Sequence, residues 1–133
     1  MVQNTVKQAR VLAIDDSREF LSSLKSFFED TPDFCLVGTA QSGYEGLELA
    51  RTLHPDLVLM DLQMEGMNGL EATSRIRNRF PEMAVVIITA HEVPSLRQVC
   101  HTSGACDLVR KSKLYQELPD ALAKFLTSRQ AFR

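Results

Sequence analysis

The sequence has little of what marks secreted, membrane-bound or nucleic-acid-binding proteins. It contains three cysteines, an odd number without the spacing of a metal site, which argues against a disulfide framework and favours a reducing compartment. No stretch approaches the roughly 18 apolar residues of a membrane span, and the N-terminus has no signal-peptide core. The net charge of −2 leaves no excess for binding polyanions. We therefore expect a cytoplasmic protein that binds no membrane.

The composition is that of one ordinary globular domain. The 133 residues include 44% hydrophobic and 24% charged residues, and no repeat or low-complexity tract interrupts them. We expect residues 1–9 to be loose, residues 10–127 to form the domain, and residues 128–133 to be a tail or the start of a linker. Cys35 and Cys106 stand in apolar runs, where we expect them to pack as small hydrophobic side chains.

Short apolar runs alternate along the chain with stretches of helical periodicity. The sequence predicts strands at residues 11–14, 34–37, 57–60, 84–88 and 107–109, with a helix after each one. The second strand is expected to close at Gly38, and the last helix to cover residues 114–125. Such alternation indicates an α/β domain with a parallel sheet. Because the strands are apolar throughout, helices should cover both faces of the sheet.

Polar side chains stand just past the ends of four of these strands. Asp15 and Asp16 follow the first, Asp61 the third, Thr89 the fourth and Lys111 the fifth. The carboxyl ends of parallel strands lie along one edge of the sheet, where ligands bind. Each residue alone has an ordinary explanation, as a helix cap, a strand former or a solvated charge. Four such positions along one edge are hard to explain in that way.

The chemistry of this set indicates a metal ion and a phosphate. Neighbouring carboxylates repel unless a cation joins them, and oxygen donors of this kind suit Mg²⁺. Lys111 and Thr89 offer a positive charge and a neutral donor to phosphoryl oxygens. A carboxylate can also accept a phosphoryl group covalently, and Asp61, single and central in the strand order, is the best candidate. The residues thus predict a Mg²⁺-dependent phosphoacceptor site.

The joint pattern resembles the receiver domain of two-component response regulators. The resemblance runs from about Arg10 to Phe125 and is carried by Asp15, Asp16, Asp61, Gln63, Met64, Gly66, Gly69, Thr89, Ala90, Gly104, Ala105 and Lys111. It implies a flavodoxin-like (βα)₅ fold, a doubly wound parallel sheet of strand order 2-1-3-4-5. Asp61 would accept a phosphoryl group from the phosphohistidine of a sensor histidine kinase or phosphotransfer protein.

The resemblance also implies how the metal would be held. Asp16, Asp61 and the backbone carbonyl of Gln63 would bind Mg²⁺ directly, and Asp15 would act largely through water. The four residues would together form the metal site beside the acceptor.

The resemblance further implies a signalling switch rather than an ordinary enzyme. Lys111 would contact the phosphoryl oxygens and Thr89 would hydrogen-bond the new phosphate. Such a domain would catalyse its own phosphorylation and slow dephosphorylation. It would pass the change to an output domain or a partner protein, in transcriptional regulation, and a homodimer is compatible with this. DNA would be bound only through an output domain that these residues do not include.

The chain departs from the family pattern at three places. Glu65 and Ser112 stand where proline is usual, and Leu108 replaces the usual aromatic residue. A cis peptide bond before a non-proline residue costs roughly 3 kcal/mol or more, so the sequence leaves the conformation of the bond before Ser112 open. Without a ring at Leu108, we expect switching to rest on backbone shifts of residues 89–94.

The resemblance further implies that two residues border the path of attacking water. They are Gln63 and His91, each two positions beyond a site residue. We expect a substitution of His91 to change the lifetime of the aspartyl phosphate, although an exposed loop imidazole is the plainer interpretation.

Three other functions compete with this prediction. A hydrolase of the haloacid dehalogenase kind would need a second acid where Gln63 stands. A flavodoxin-like cofactor binder would need a phosphate-binding loop where Asp15 and Asp16 would repel phosphate. A scaffold that has lost phosphorylation is favoured by Leu108 and by the unusual loop, but the complete set of acids with Lys111 argues against it.

Overall fold

The computed structural model describes residues 7–91 and 94–131. Within them the strands are β1 (Ala9–Ile14), β2 (Phe34–Ala40), β3 (Leu57–Asp61), β4 (Ala84–Thr89) and β5 (Asp107–Arg110). The helices are α1 (Arg18–Glu29), α2 (Gly43–Leu53), α3 (Gly69–Arg79), α4 (Leu96–Thr102) and α5 (Leu114–Ala131), and a 3₁₀ turn (Lys111–Lys113) precedes α5. All strand pairs are parallel, in the order β2-β1-β3-β4-β5. This confirms the predicted doubly wound, flavodoxin-like (βα)₅ fold.

The sheet separates two hydrophobic cores. Side chains alternate between the faces of a strand, so each strand supplies both cores. The core beneath α1 and α5, here called the α1/α5 core, takes from the strands Ala9, Val11, Ala13, Phe34, Leu57, Leu59, Val86, Ile88 and Val109. The core beneath α2, α3 and α4 takes from them Leu12, Ile14, Val58, Met60, Val85, Ile87 and Leu108. Burial on both faces explains why the strands are apolar over most of their length.

The helices that follow β1, β2 and β3 begin at side-chain caps. The hydroxyl of Ser17 accepts a hydrogen bond from the N–H of Phe20, and Ser42 and Asn68 cap α2 and α3 in the same way. These caps satisfy backbone donors that a helix leaves unpaired at its start. Helix α4 differs, because Ser95 makes no side-chain hydrogen bond of this kind.

Strand β2 and helix α5 extend furthest beyond their predicted ends. Strand β2 continues past Gly38 to Ala40, because a bulge at Val37 shifts the register from Val11↔Leu36 to Leu12↔Gly38 and pairing then resumes. Helix α5 continues through residues 128–131, which the sequence assigned to a tail or linker. The expected loose segment lies mostly outside the described residues, and the domain boundaries remain predictions.

The cysteines are all free, but they differ in exposure. Cys100 is buried and Cys35 is half-buried, whereas Cys106 is exposed. The packing expected of Cys106 is therefore wrong: the residue stands just before β5, at the edge of the sheet where the strands begin, and its side chain is exposed there. Among the described residues, no helix is both long and apolar enough to cross a bilayer.

Candidate phosphoacceptor site

The fold brings the strand-end residues together, as the sequence predicts. Asp15 directly follows β1, Asp61 ends β3, Thr89 ends β4 and Lys111 directly follows β5. Asp15, Asp16 and Asp61 each place one carboxylate oxygen within 4.8 Å of the other two. The three acids therefore form one cluster at the edge where the strands end.

Asp15 joins this cluster to the start of α1. Its carboxylate is buried, and Oδ1 accepts a hydrogen bond from the N–H of Ser17 at 2.8 Å. The other oxygen, Oδ2, lies 2.8 Å from Nζ of Lys111. Asp16 is exposed at the rim. One acid of the pair is thus fixed inside the protein, and the other faces solvent.

The Asp61 side chain is buried, and the positive charge of Lys111 offsets the nearby negative charge only in part. Burial raises the pKa of its carboxyl group from 3.8 to about 6, and the negative charge of Asp15 adds to the rise. Lys111, 3.5 Å from Oδ1, lowers this pKa only in part. A carboxylate cluster whose neighbours disfavour ionisation is a good site for a hard cation, since these cations prefer oxygen donors. The residues present therefore fit Mg²⁺.

Lys111 lies among three groups from three parts of the fold. Its Nζ contacts Asp15 and Asp61, and it also lies 4.4 Å from the centroid of the Phe20 ring. No described peptide bond is cis, so the bond from Lys111 to Ser112 is trans. The chain leaves β5 and enters a 3₁₀ turn that begins at Lys111 itself.

The loop after Asp61 folds back against Asp61 itself. A Cβ atom on Gly69 would lie 2.1 Å from the carbonyl oxygen of Asp61, so only glycine fits there. The N–H of Gly69 donates to the carbonyl of Leu62 at 2.9 Å, and the N–H of Leu62 donates to that of Ile88 at 3.1 Å. Backbone hydrogen bonds therefore close this loop, although Glu65 replaces the proline of the family pattern.

Thr89 is connected to the loop after β3 through His91. The buried Thr89 hydroxyl accepts a hydrogen bond from the His91 N–H at 3.0 Å. The His91 ring nitrogen Nε2 lies 2.7 Å from Oε1 of Gln63. Gln63 and His91 are expected from the sequence to border the path of attacking water together, and the hydrogen bond between their side chains is a detail that only the structure adds.

Leu108 occupies the core rather than the surface of β5. It is 8% exposed and packs with the core beneath α2, α3 and α4. Above it, between α4 and β5, lies a small cavity of about 190 Å³. The aromatic ring beside Lys111 instead belongs to Phe20 of α1.

A second unpredicted contact holds the chain just before Lys111. Glu117 of α5 accepts hydrogen bonds from the backbone N–H of Arg110 at 3.0 Å and from its Nε at 2.8 Å. These hydrogen bonds lower the pKa of Glu117. A separation of seven residues across a turn gives no sequence signal for this pair.

Comparison with known proteins gives one consistent family. A family model for the response regulator receiver domain matches residues 11–123. The transcriptional regulatory protein LiaR of Bacillus subtilis is 36% identical over 113 residues, which are 85% of this chain and 54% of LiaR. The nitrate/nitrite response regulator NarL of Escherichia coli is 40% identical over 86 residues, 63% of this chain and 40% of NarL. The chain thus spans about half the length of these relatives.

A solved structure agrees with these matches. The crystal structure of a two-component response regulator of the LuxR family from Aurantimonas superposes with a TM-score of 0.86 at 30% identity. The superposition covers 92% of this chain and 87% of that one.

Proposed function

The chain belongs to the family of response regulator receiver domains, the phosphorylation-dependent switches of two-component systems, and on that premise we propose that Asp61 accepts the phosphoryl group. The observation that supports this assignment is the convergence on Asp61 of two other carboxylates and the Lys111 ammonium group. Its raised pKa reflects a position where an added cation lowers the energy of the ionised nucleophile.

We propose that Mg²⁺ binds at this cluster. Asp15, Asp16, Asp61 and the backbone carbonyl of Gln63 would hold it. When bound, the ion supplies the positive charge that offsets the negative charge of the acceptor and of the incoming phosphoryl oxygens.

The proposed transfer is a displacement at phosphorus. A carboxylate oxygen of Asp61 attacks the phosphorus of a phosphohistidine, and the bond from phosphorus to the imidazole nitrogen breaks. The nitrogen keeps the bonding electrons and takes up a proton. Lys111 would stabilise the phosphoryl oxygens, because its ammonium group already lies 3.5 Å from the Asp61 carboxylate. The same residues would act when water later hydrolyses the aspartyl phosphate.

The switch would begin at Thr89. Its hydroxyl can donate to a phosphoryl oxygen on Asp61, and the same oxygen atom of Thr89 accepts the N–H of His91. A movement of Thr89 towards the phosphate would therefore change the backbone at His91. With Leu108 buried, this supports switching through the segment after β4 rather than through a ring on β5.

The partners follow from the family as proposals. The phosphoryl donor would be a sensor histidine kinase or a phosphotransfer protein, in the cytoplasm. LiaR and NarL are about twice as long as the matched region, and LiaR is a transcriptional regulatory protein. We propose that this chain likewise controls transcription, with DNA bound by a separate output domain and with dimerisation as one way to transmit the signal.

Mass spectrometry tests the assignment of Asp61. The chain is incubated with Mg²⁺ and a small acyl phosphate, and we expect one added phosphoryl group, absent when Mg²⁺ is chelated. Asp61→Asn should abolish the adduct. Asp56→Asn, the same change at the opposite edge of the sheet, should retain it. An unmodified wild-type chain would favour a scaffold that has lost phosphorylation. An adduct that persists in Asp61→Asn would exclude Asp61 as the acceptor.

A further inference from the structure

An aromatic ring completes the surroundings of Lys111. The Nζ atom lies 4.4 Å from the centroid of the Phe20 ring, well inside the roughly 6 Å within which a ring face attracts a cation. Phe20 lies in the first turn of α1, whereas Lys111 follows β5. The contact therefore joins two elements that are distant in sequence, at the acceptor itself.

The ring acts differently from the two carboxylates. A lysine side chain loses rotamer entropy when it is held in one place. The carboxylates of Asp15 and Asp61 accept from the ammonium group, whereas the face of Phe20 attracts it without accepting a conventional hydrogen bond. The ring can thus restrict Lys111 while its N–H groups stay directed at the acids. The Lys111 side chain is 22% exposed, so solvent screens the attraction only in part.

We propose that Phe20 is a positioning residue for phosphoryl transfer. Its ring holds the Lys111 ammonium group where the group meets phosphoryl oxygens on Asp61. Phe20 touches no reacting atom and acts only through Lys111. The inference rests on the proposed function of Asp61, and it assigns to α1 a role that the helical pattern does not predict.

Phe27 provides a matched control on the same helix. Both phenylalanines are half-buried and pack against the α1/α5 core. Phe27, however, lies two turns further along and contacts the rings of Phe28 and Tyr115, with centroids 5.2 and 6.2 Å away. Replacing either phenylalanine with leucine removes a ring of the same size from the same core. Only the change at Phe20 removes the contact with Lys111.

The kinetic test compares these variants with a small acyl phosphate as donor. At saturating donor and Mg²⁺, Phe20→Leu should phosphorylate about three- to tenfold more slowly, the rate equivalent of an attraction of about 0.7–1.4 kcal/mol. Phe20→Tyr, which keeps the ring, and Phe27→Leu should stay near wild type. Unchanged phosphorylation in Phe20→Leu, or an equal loss in Phe27→Leu, would overturn the proposal.

A double-mutant cycle separates positioning from packing. In a Lys111→Met background, where no ammonium group remains to be positioned, Phe20→Leu should change the residual rate by less than about twofold. If Phe20→Leu slows both backgrounds equally, the ring contributes only to packing, and the proposal is wrong. Unfolding by urea should show similar losses for Phe20→Leu and Phe27→Leu, which keeps the kinetic comparison fair.

Nuclear magnetic resonance tests the contact without phosphorylation. The protons on Cε of Lys111 should be shifted upfield by the Phe20 ring current in the unphosphorylated wild type. The shift should vanish in Phe20→Leu and persist in Phe20→Tyr and Phe27→Leu. Lysine protons without an upfield shift in the wild type would refute the contact. This measurement holds even if Asp61 proves not to be the acceptor, so the two proposals fail separately.

Discussion

The backbone around Asp61 is held by more contacts than the α4–β5 side of the domain. At Asp61 the loop is closed by backbone hydrogen bonds, Gly69 contacts the acceptor backbone, and Asn68 caps α3. On the other side, α4 has only seven residues and no side-chain cap. The exposed Arg97 of α4 makes polar contacts with β5: its guanidinium lies 3.4 Å from Asp107 Oδ1 and 3.5 Å from the Leu108 carbonyl oxygen.

This difference indicates where a conformational change costs least. Regions with few buried contacts and weak exposed pairs open at lower free energy than closely packed ones, and an exposed ion pair contributes about 0–1 kcal/mol. The cavity above Leu108 adds room for side chains to rearrange. A phosphoryl group on Asp61 would therefore leave the backbone around it in place and shift the conformation of the α4–β5 side.

The largest expected effect comes from a glycine substitution on each side. Gly69→Ala should lower the free energy of unfolding by about 3 kcal/mol, because the new Cβ would meet backbone atoms that cannot move aside. Gly104→Ala, next to the end of α4, should cost about 1 kcal/mol, because the strain of its φ of +108° adds to contact with the flexible side chain of Arg77. Urea denaturation without Mg²⁺ measures both losses. Equal losses, or a larger one at Gly104, would remove the contrast between the two regions.

The next effect concerns the charge buried at Asp61. The folded state raises this pKa from 3.8 to about 6, so it binds the proton more tightly than the unfolded chain does. Proton binding at Asp61 therefore stabilises the folded state fully below pH 4, and this stabilisation is lost as the pH rises through about 6. Asp61→Asn should raise the free energy of unfolding of the metal-free domain by about 2 kcal/mol at pH 8.

Two controls accompany this prediction. At pH 4 the gain from Asp61→Asn should nearly vanish, because the wild-type carboxyl group is then mostly protonated. Mg²⁺ at pH 8 should stabilise the wild type more than the variant and so reduce the difference. A gain that does not depend on pH would show that the buried charge is not its cause.

The smallest expected effect tests the link from Gln63 to His91. We expect His91→Ala to speed the loss of the aspartyl phosphate about three- to fivefold, because removing a hydrogen bond of about 1 kcal/mol opens the space between the two loops to water. The decay is followed by mass spectrometry after the donor is removed. Gln63→Ala should have a similar effect and the double variant little more, whereas His101→Ala on α4 should have none. An unaltered decay in His91→Ala would end the hypothesis.

The sequence predicts the sheet and the cluster because both depend on local patterns. Apolar runs mark the strands, and parallel topology alone brings Asp15, Asp61, Thr89 and Lys111 to one edge. The continuation of β2 past Gly38 escapes prediction, since a bulge depends on pairing with β1 rather than on local composition.

The contacts made across elements were also beyond prediction. A helical pattern places Phe20 on the inner face of α1, but it cannot show which end of β5 that face meets. In the same way, apolar neighbours predict a packed Cys106, whereas the assembled fold leaves its side chain exposed just before β5. Side-chain pairing between distant segments is set by the assembled fold, and only the structure reports it.

The close approach of Gly69 to Asp61 has a consequence for how a signal can travel. With the Gly69 backbone packed closely against the carbonyl of Asp61, we expect the Asp61 side chain to turn more easily than its backbone shifts. We therefore expect strand β3 to move least when a phosphoryl group is added to Asp61. The added negative charge would act on side chains of the neighbouring strands. We expect this charge to act first on Thr89 at the end of the neighbouring strand β4, whose hydroxyl accepts the His91 N–H, so the change would leave the site through that strand rather than along β3.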